Sequence, residues 1–196
     1  MKKILIINGA QKFAHSGGNL NSSIVDWDLE FFKNHGHEVQ VTHVTDAYDP
    51  AQEVDKMATA DFIIYHFPVW WMHVPYQLKE YLDLVLTAGH KKLYYSDGRK
   101  AENPAINYGT GGLLQGKKYM VCTTWNAPET AFTLPGEFFQ EKSVDEGILF
   151  PFHRMNAFIG LEPLPSIHFH DVEKNMNAER MAEFKSNYLN HLAKLF

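Results

Sequence analysis

The 196-residue chain predicts one α/β domain, spanning residues 1–196, built on a doubly wound, five-stranded parallel sheet in the order 2-1-3-4-5 with helices on both faces. Three observations predict it. Short apolar runs occur at Lys3–Asn8 (KILIIN), Asp61–Phe67 (DFIIYHF) and Lys117–Thr124 (KKYMVCTT), a pattern that suits strands covered on both faces. Segments with helically spaced apolar residues lie between them. The two kinds of segment alternate along the whole chain, and that alternation argues for a parallel sheet flanked by helices.

Each element has a local reason. The first strand stops at Gly9-Ala10, and a polar glycine loop leads to the N-cap types Asn21, Ser22 and Ser23. A helix is expected from Ser22 to Asn34, carrying Ile24, Val25, Trp27, Leu29, Phe31 and Phe32, with Gly36 closing it. Glu38 to Val44 alternates and reads as the second strand. Asp49-Pro50 opens a short helix over 51–58. Pro68 ends the third strand, and Pro75 opens a helix that runs to Gly89. Residues 90–116 form a long polar, glycine-rich connection; such loops in a compact domain are usually functional. After strand four comes a second excursion with Phe132, Phe138 and Phe139. Pro151 to Ile159 reads as a helix closed by Gly160, Leu161 to His168 as a fifth strand weakened by Pro163 and Pro165, and Asn177 to Phe196 as the last helix.

Composition narrows the function. The net charge is -5 and the pI about 6.1, which gives no basic footprint for nucleic acid. No apolar run is long enough for a membrane span. The start MKKILIINGA imitates a signal peptide, but the run is short and no small-residue cleavage site follows. A cytoplasmic protein is expected, and the single Cys122 excludes an intrachain disulfide framework.

In doubly wound sheets, ligands bind at the carboxyl ends of the strands near the switch point. The loops 9–23, 68–75 and 124–132 are therefore expected to converge. The first contains HSGGNLN, with neither a dinucleotide fingerprint nor a P-loop. Its backbone amides, with His15, Ser16, Asn19 and Asn21, suit a phosphate at a helix N-terminus; taken alone, it could equally be a surface turn. The second contains Val69-Trp70-Trp71-Met72-His73, and its side chains suit a flat heteroaromatic ring. The third contains Thr124-Trp125-Asn126-Ala127. Tyr108-Gly109-Thr110-Gly111-Gly112 adds a glycine-rich stretch that would let backbone approach a ligand. One phosphate loop and three aromatic loops together imply a flavin nucleotide, without separating mononucleotide from dinucleotide. The eleven histidines yield no metal site: His168 and His170 share a strand face and His35 and His37 flank a helix end, but spacing places no third ligand. His66, ending strand three, reads as a core residue ahead of the other reading, a support behind the site. His153, beside Arg154, reads either as a contact for substrate or 2′-phosphate or as part of a solvated helix start.

The motifs ILIINGAQKFAHSGGNLN, PVWWMHVPYQLKEYLD, LYYSDGR, YGTGGLLQGKKYM, TWNAPETAF, PFH and LEPLP follow one another at fixed spacing. In these the chain resembles the modulator-of-drug-activity B family, NAD(P)H:quinone reductases of flavodoxin-like fold. The resemblance implies FAD, a homodimer, and two-electron reduction of a small-molecule quinone with NADPH as hydride donor, the two substrates taking turns at flavin N5. Carried over by motif, the FAD diphosphate lies on Ser16, Gly17, Gly18, Asn19, Leu20, Asn21, Ser22 and Ser23, with His15 adjacent. The ring lies against Val69, Trp70, Trp71, Met72, Thr124, Trp125, Asn126 and Ala127. Tyr108 completes the site across a dimer interface and donates to the quinone oxygen. His73-Val74 replaces the small residues the family pattern leads one to expect, and bears on pocket size. The alternatives on the same fold are a single-electron carrier holding FMN, an azo-, nitro- or FMN reductase, and an interaction module that has lost its cofactor.

Overall fold

The computed structural model describes residues 1–14, 16–174 and 176–196. Its strands are β1 (Lys3–Asn8), β2 (Glu38–His43), β3 (Phe62–Pro68), β4 (Lys118–Thr124), β5 (Glu162–Pro163) and β6 (Ile167–Phe169). Its helices are α1 (Asn19–Asn34), α2 (Pro50–Thr59), α3 (Tyr76–Ala88), α4 (Thr130–Thr133), α5 (Val144–Gly147), α6 (Phe150–Phe158) and α7 (Ala178–Leu195).

The sheet is parallel throughout, in the order β2-β1-β3-β4-β5, with β6 also paired to β4. The order expected from the sequence is therefore observed, with one change. The fifth position is split: β5 pairs through Lys118↔Glu162 and Tyr119↔Pro163, and β6 through Cys122↔Ile167 to Thr124↔Phe169. Pro163 and Pro165 supply no N–H for a continuous ladder, so the chain skips there and rejoins.

Side chains alternate across the sheet, as strands covered on both faces require. Leu5, Ile7, Ile63, Tyr65, Phe67, Tyr119 and Val121 face α2, α3 and α6. Ile4, Ile6, Ile64, Met120 and Cys122 face α1 and α7. Polar ties cross both layers. Buried Glu53 on α2 accepts from Thr42 (2.7 Å) and Tyr81 (2.8 Å) and pairs with Lys56. On the opposite face Asp28 of α1 accepts from His66 Nε2 (2.5 Å) and from the Tyr188 hydroxyl (2.6 Å). Burial, with the Asp28 carboxylate alongside, pushes the Tyr188 phenol and the Cys122 thiol well above their ordinary values. His66 is thus the core residue the sequence suggested.

One helix start differs from expectation and another matches it. α1 begins at Asn19, three residues before Ser22, with Gly18 as N-cap at φ 72 and no side-chain cap. Asn21, Ser22 and Ser23 lie inside the first turns instead. α2 begins as expected, with Pro50 in its first turn and the Asp49 side chain accepting from the Ala51 N–H. Among the described residues no helix is long and apolar enough to cross a membrane.

Candidate active site

Two adjoining cavities open at the carboxyl ends of β1, β3 and β4. The first, about 410 Å³, is lined by Ser16 to Asn21, Pro68 to Trp70, Thr124, Asn126, Val172 and Glu173. The second, about 450 Å³, is lined by Phe13, Ala14, Ser16, Val69 to Met72, Trp125 to Ala127, Phe139 and Glu173. They share Ser16, Val69, Trp70, Asn126 and Glu173. The three loops expected to converge do so.

The first cavity is built from backbone. With Gly18 in the left-handed region and no capping side chain, the first N–H groups of α1 are left for an outside acceptor. No acidic residue occupies the first turn to compete for them. Behind the helix, the buried Asn21 amide donates to Thr124 Oγ1 (3.1 Å), tying α1 to the end of β4. Asn21 Oδ1 is buried with no partner among the described residues, so the cavity floor offers an acceptor for a ligand hydroxyl. Ser22 and Ser23 spend their hydroxyl protons on the Gly18 and Asn19 carbonyls. Ser22 lines a different cavity and Ser23 lines none of these. His15 lies outside the described residues.

The second cavity is built from rings. Trp70 and His73 exchange backbone hydrogen bonds (3.0 Å each way), and Trp71 and Met72 sit between them at φ 49 and 62. Positive φ at both central residues makes a tight hairpin turn that normally takes Asn or Gly. Trp71 is thrown outward and is 87% exposed. Trp70 is braced by Phe13, with ring centres 4.5 Å apart. Trp125 behaves differently from its neighbours. It is 4% exposed, its indole N–H donates to Thr123 Oγ1 (2.7 Å), and its ring packs edge-on against Phe132 and Phe139. It forms a wall of the cavity.

Tyr108 is not brought to either cavity. It is 71% exposed, beside Phe158 (5.9 Å) and under the Arg99 guanidinium (5.7 Å). The glycines after it do not open toward a ligand, which corrects the sequence expectation. A Cβ on Gly111 would lie 2.1 Å from the Ser96 carbonyl oxygen, and one on Gly112 2.2 Å from the Ile159 carbonyl carbon. The Gly109 and Thr110 amides are also taken, by the Asp97 and Asn107 carbonyls. The close approach is to the protein's own backbone.

Several histidines find structural partners. His153 bridges the Tyr119 hydroxyl (2.6 Å) and Asp145 (2.8 Å), a structural tether that neither of its two sequence readings named. His168 Nδ1 meets Thr123 Oγ1 (2.7 Å). Desolvation would raise the Asp145 carboxyl, but the hydrogen bond from His153 and the His168 ring nearby (3.5 Å) hold it well below the usual range. Among the described residues no group of three or more His, Cys, Asp or Glu is placed to hold a metal ion.

Sequence reasoning missed Phe13, Pro68, Val172 and Glu173. The last two follow β6, also at a strand's carboxyl end, and Val172 N–H bonds the Trp125 carbonyl (3.0 Å). The rule that selected the other loops applies equally to that one.

Comparisons with known proteins agree with this geometry. The family model described as flavodoxin-like fold matches residues 2–192. The chain is 45% identical over 193 residues to the NADPH:quinone oxidoreductase MdaB of Haemophilus influenzae, covering 98% of each. A structure titled as a putative quinone reductase from Klebsiella pneumoniae superposes with a TM-score of 0.78 at 24% identity, covering 100% of this chain and 85% of that one. General stress protein 14 of Treponema denticola, solved in complex with FMN, superposes at 0.68 with 21% identity over 100% of this chain and 98% of that one. These last two likenesses establish the fold. With end-to-end coverage by the family model and by a relative 45% identical, the chain belongs to the flavodoxin-like family and, within it, to the group of the MdaB quinone oxidoreductases.

Proposed function

We propose that the protein is a flavin enzyme that reduces quinones in two-electron steps with NADPH, holding FAD across the two cavities. The observation that supports it most is their adjacency: an uncapped helix N-terminus opens beside an aromatic turn, and the two share Trp70 and Asn126. A phosphate suits the first. A flat heteroaromatic ring suits the second. The buried Asn21 Oδ1 on the floor of the first suits a ribityl hydroxyl. The 45% identity to an NADPH:quinone oxidoreductase supports the same reading from outside the geometry.

A bound flavin supplies the centre that takes up and gives back hydride; the chain supplies position and charge. Gly17, Gly18 and the first turn of α1 hold the phosphate end. Val69 and Trp70, with Thr124 to Ala127, fix the plane of the ring. Trp125 N–H is engaged with the Phe169 carbonyl (2.8 Å), so Asn126 and Ala127 are the loop's candidates for meeting negative charge on the ring. Trp71 and Met72 border the open side, where nicotinamide and quinone take turns.

Tyr108 donates a proton to the reduced quinone oxygen. From its observed position it does so only on the site of a second copy, so the proposal includes a homodimer. Exposed Phe138 and Phe150 are apolar surface available for that contact.

The test is a spectrum and a kinetic pattern. Purified protein shows oxidised-flavin absorbance, the released cofactor is FAD, and NADPH–quinone initial rates give parallel lines. Intersecting lines reject the shared site; colourless protein that takes up no flavin rejects the whole reading. Tyr108→Phe lowers quinone turnover by roughly 10²-fold with flavin still bound. Unchanged turnover removes Tyr108 from the reaction.

A further inference from the structure

One carboxylate that lines neither of the two cavities gathers side chains from three other elements. Asp145, on α5, accepts from His153 Nε2 of α6 (2.8 Å), and His168 Nε2 of β6 stands 3.5 Å from the same Oδ1. Each imidazole is engaged at its other nitrogen by a hydroxyl of β4: His153 Nδ1 by Tyr119 (2.6 Å) and His168 Nδ1 by Thr123 (2.7 Å). The His153 arm ends at Tyr119. The His168 arm goes further, because Thr123 Oγ1 also accepts from the Trp125 indole N–H (2.7 Å), and Trp125 is a wall of the second cavity. Nothing in the proposed function uses this arm.

Its direction follows from which atoms carry protons. An indole N–H only donates, and a carboxylate only accepts. The neutral His168 tautomer with its proton on Nε2 fits both of its partners. Thr123 then gives its single hydroxyl proton to Nδ1 and meets the indole with a lone pair. Donors run one way, from Trp125 to Thr123 to His168, toward the charge. Bonds in such a chain polarise one another where water is excluded, so the carboxylate is felt at the indole. Asp145 keeps its charge, being held well below the usual carboxyl range. His168 Nε2 has no hydrogen-bond partner among the described residues, so at 3.5 Å its tie to Asp145 is electrostatic.

The backbone of Trp125 is already pinned, its N–H to the Phe169 carbonyl (2.8 Å) and its carbonyl to the Val172 N–H (3.0 Å). The freedom left is rotation of the indole about its last torsion, which is broad and roughly two-fold. Turning the ring over would take its N–H away from Thr123 and leave a buried donor without an acceptor. We propose that Asp145 is a positioning residue of the ring cavity: acting through His168 and Thr123, it holds the Trp125 indole in the orientation that makes the wall. The inference rests on the flavin reading only for the ring that this wall would meet.

The experiment follows the indole N–H signals of the four tryptophans in a proton–nitrogen correlation spectrum of the purified protein, with NADPH–quinone kinetics on the same variants. Trp125→Phe assigns the signal. Asp145→Asn keeps the shape and removes the charge. In it the Trp125 indole proton exchanges with solvent roughly tenfold faster, while the other three signals stay in place and show the fold intact. Its kcat falls roughly tenfold and its KM for NADPH stays within about twofold, as a misplaced wall predicts. His168→Leu, which cuts the arm in the middle, moves the same signal and the same constant. Tyr119→Phe cuts the other arm at its end and leaves both as in wild type. In a Thr123→Val background, Asp145→Asn changes neither any further. The proposal is overturned if Asp145→Asn and His168→Leu leave the Trp125 exchange unchanged, if Tyr119→Phe moves it as far, or if Asp145→Asn still acts in the Thr123→Val background. Faster exchange with kcat untouched also overturns it, since that is what a merely structural role would give. Protein that takes up no flavin rejects the flavin reading instead, and the exchange rates still decide whether Asp145 holds Trp125.

Discussion

Two glycine-rich loops look alike in the sequence and do opposite work. HSGGN and YGTGG each place adjacent glycines among small polar residues. At Gly18 a Cβ would meet nothing closer than 3.6 Å, and both Gly17 and Gly18 line open cavities. At Gly111 and Gly112 a Cβ would run into backbone at 2.1 and 2.2 Å. The first loop leaves room for something that is not protein. The second has none to spare, because it is laced to Ser96 and Ile159. Glycine marks close approach in both, but composition does not say what approaches.

Substitutions can break or sharpen this contrast. Gly112→Ala should have the largest effect: the new methyl has rigid backbone against it, and overpacking there costs about 3 kcal/mol or more, a fall of roughly 6–12 °C in melting temperature. Flavin affinity of the protein that remains folded should not change, as titration will show. A stable Gly112→Ala would mean that the second loop is looser than its contacts indicate. Gly18→Ala should cost about 1–2 kcal/mol, because φ 72 is unfavourable for an L side chain. Its affinity loss for flavin should exceed that of Gly112→Ala, since it shifts the N–H groups proposed to meet phosphate; equal losses would erase the distinction between the loops.

The smallest effect concerns pH, at the wall shared by Trp125 and Phe132. Burial lowers the His170 pKa below its ordinary 6.5, opposed in part by a bond to the Ala127 carbonyl. The folded value lies below the unfolded one, so between them the unfolded chain holds more protons and stability falls as pH drops. The loss begins as pH falls through 6.5 and levels off below the folded value. His170→Asn should make the decline in melting temperature from pH 8 to pH 5 shallower, and an unchanged slope would remove His170 as its source.

Sheet order was legible because its signal is local. KILIIN, DFIIYHF and KYMVCTT are apolar on successive residues, which only a strand covered on both faces requires. The α1 start was not, because capping preferences point to Ser and Asn side chains and this helix is left uncapped beside a cavity. The gap in the fifth strand was visible as Pro163 and Pro165, but its rejoining at Ile167 depends on β4, far away in the chain. The convergence of the 16–21, 69–72 and 124–127 loops followed from topology. The burial of Trp125 did not, since its neighbours Phe132, Phe139 and His170 reach it through tertiary packing.

The turn at Trp71 also makes the site visible to light. Of the four tryptophans, Trp27 and Trp125 are buried and Trp70 is partly covered by Phe13, whereas Trp71 stands in water. Its emission is therefore the reddest of the four and the most open to an aqueous quencher such as iodide. A ligand or a second copy that covers the turn would blue-shift that component and shield it. The molecule thus contains its own optical reporter, at the border of the cavity where substrate would arrive.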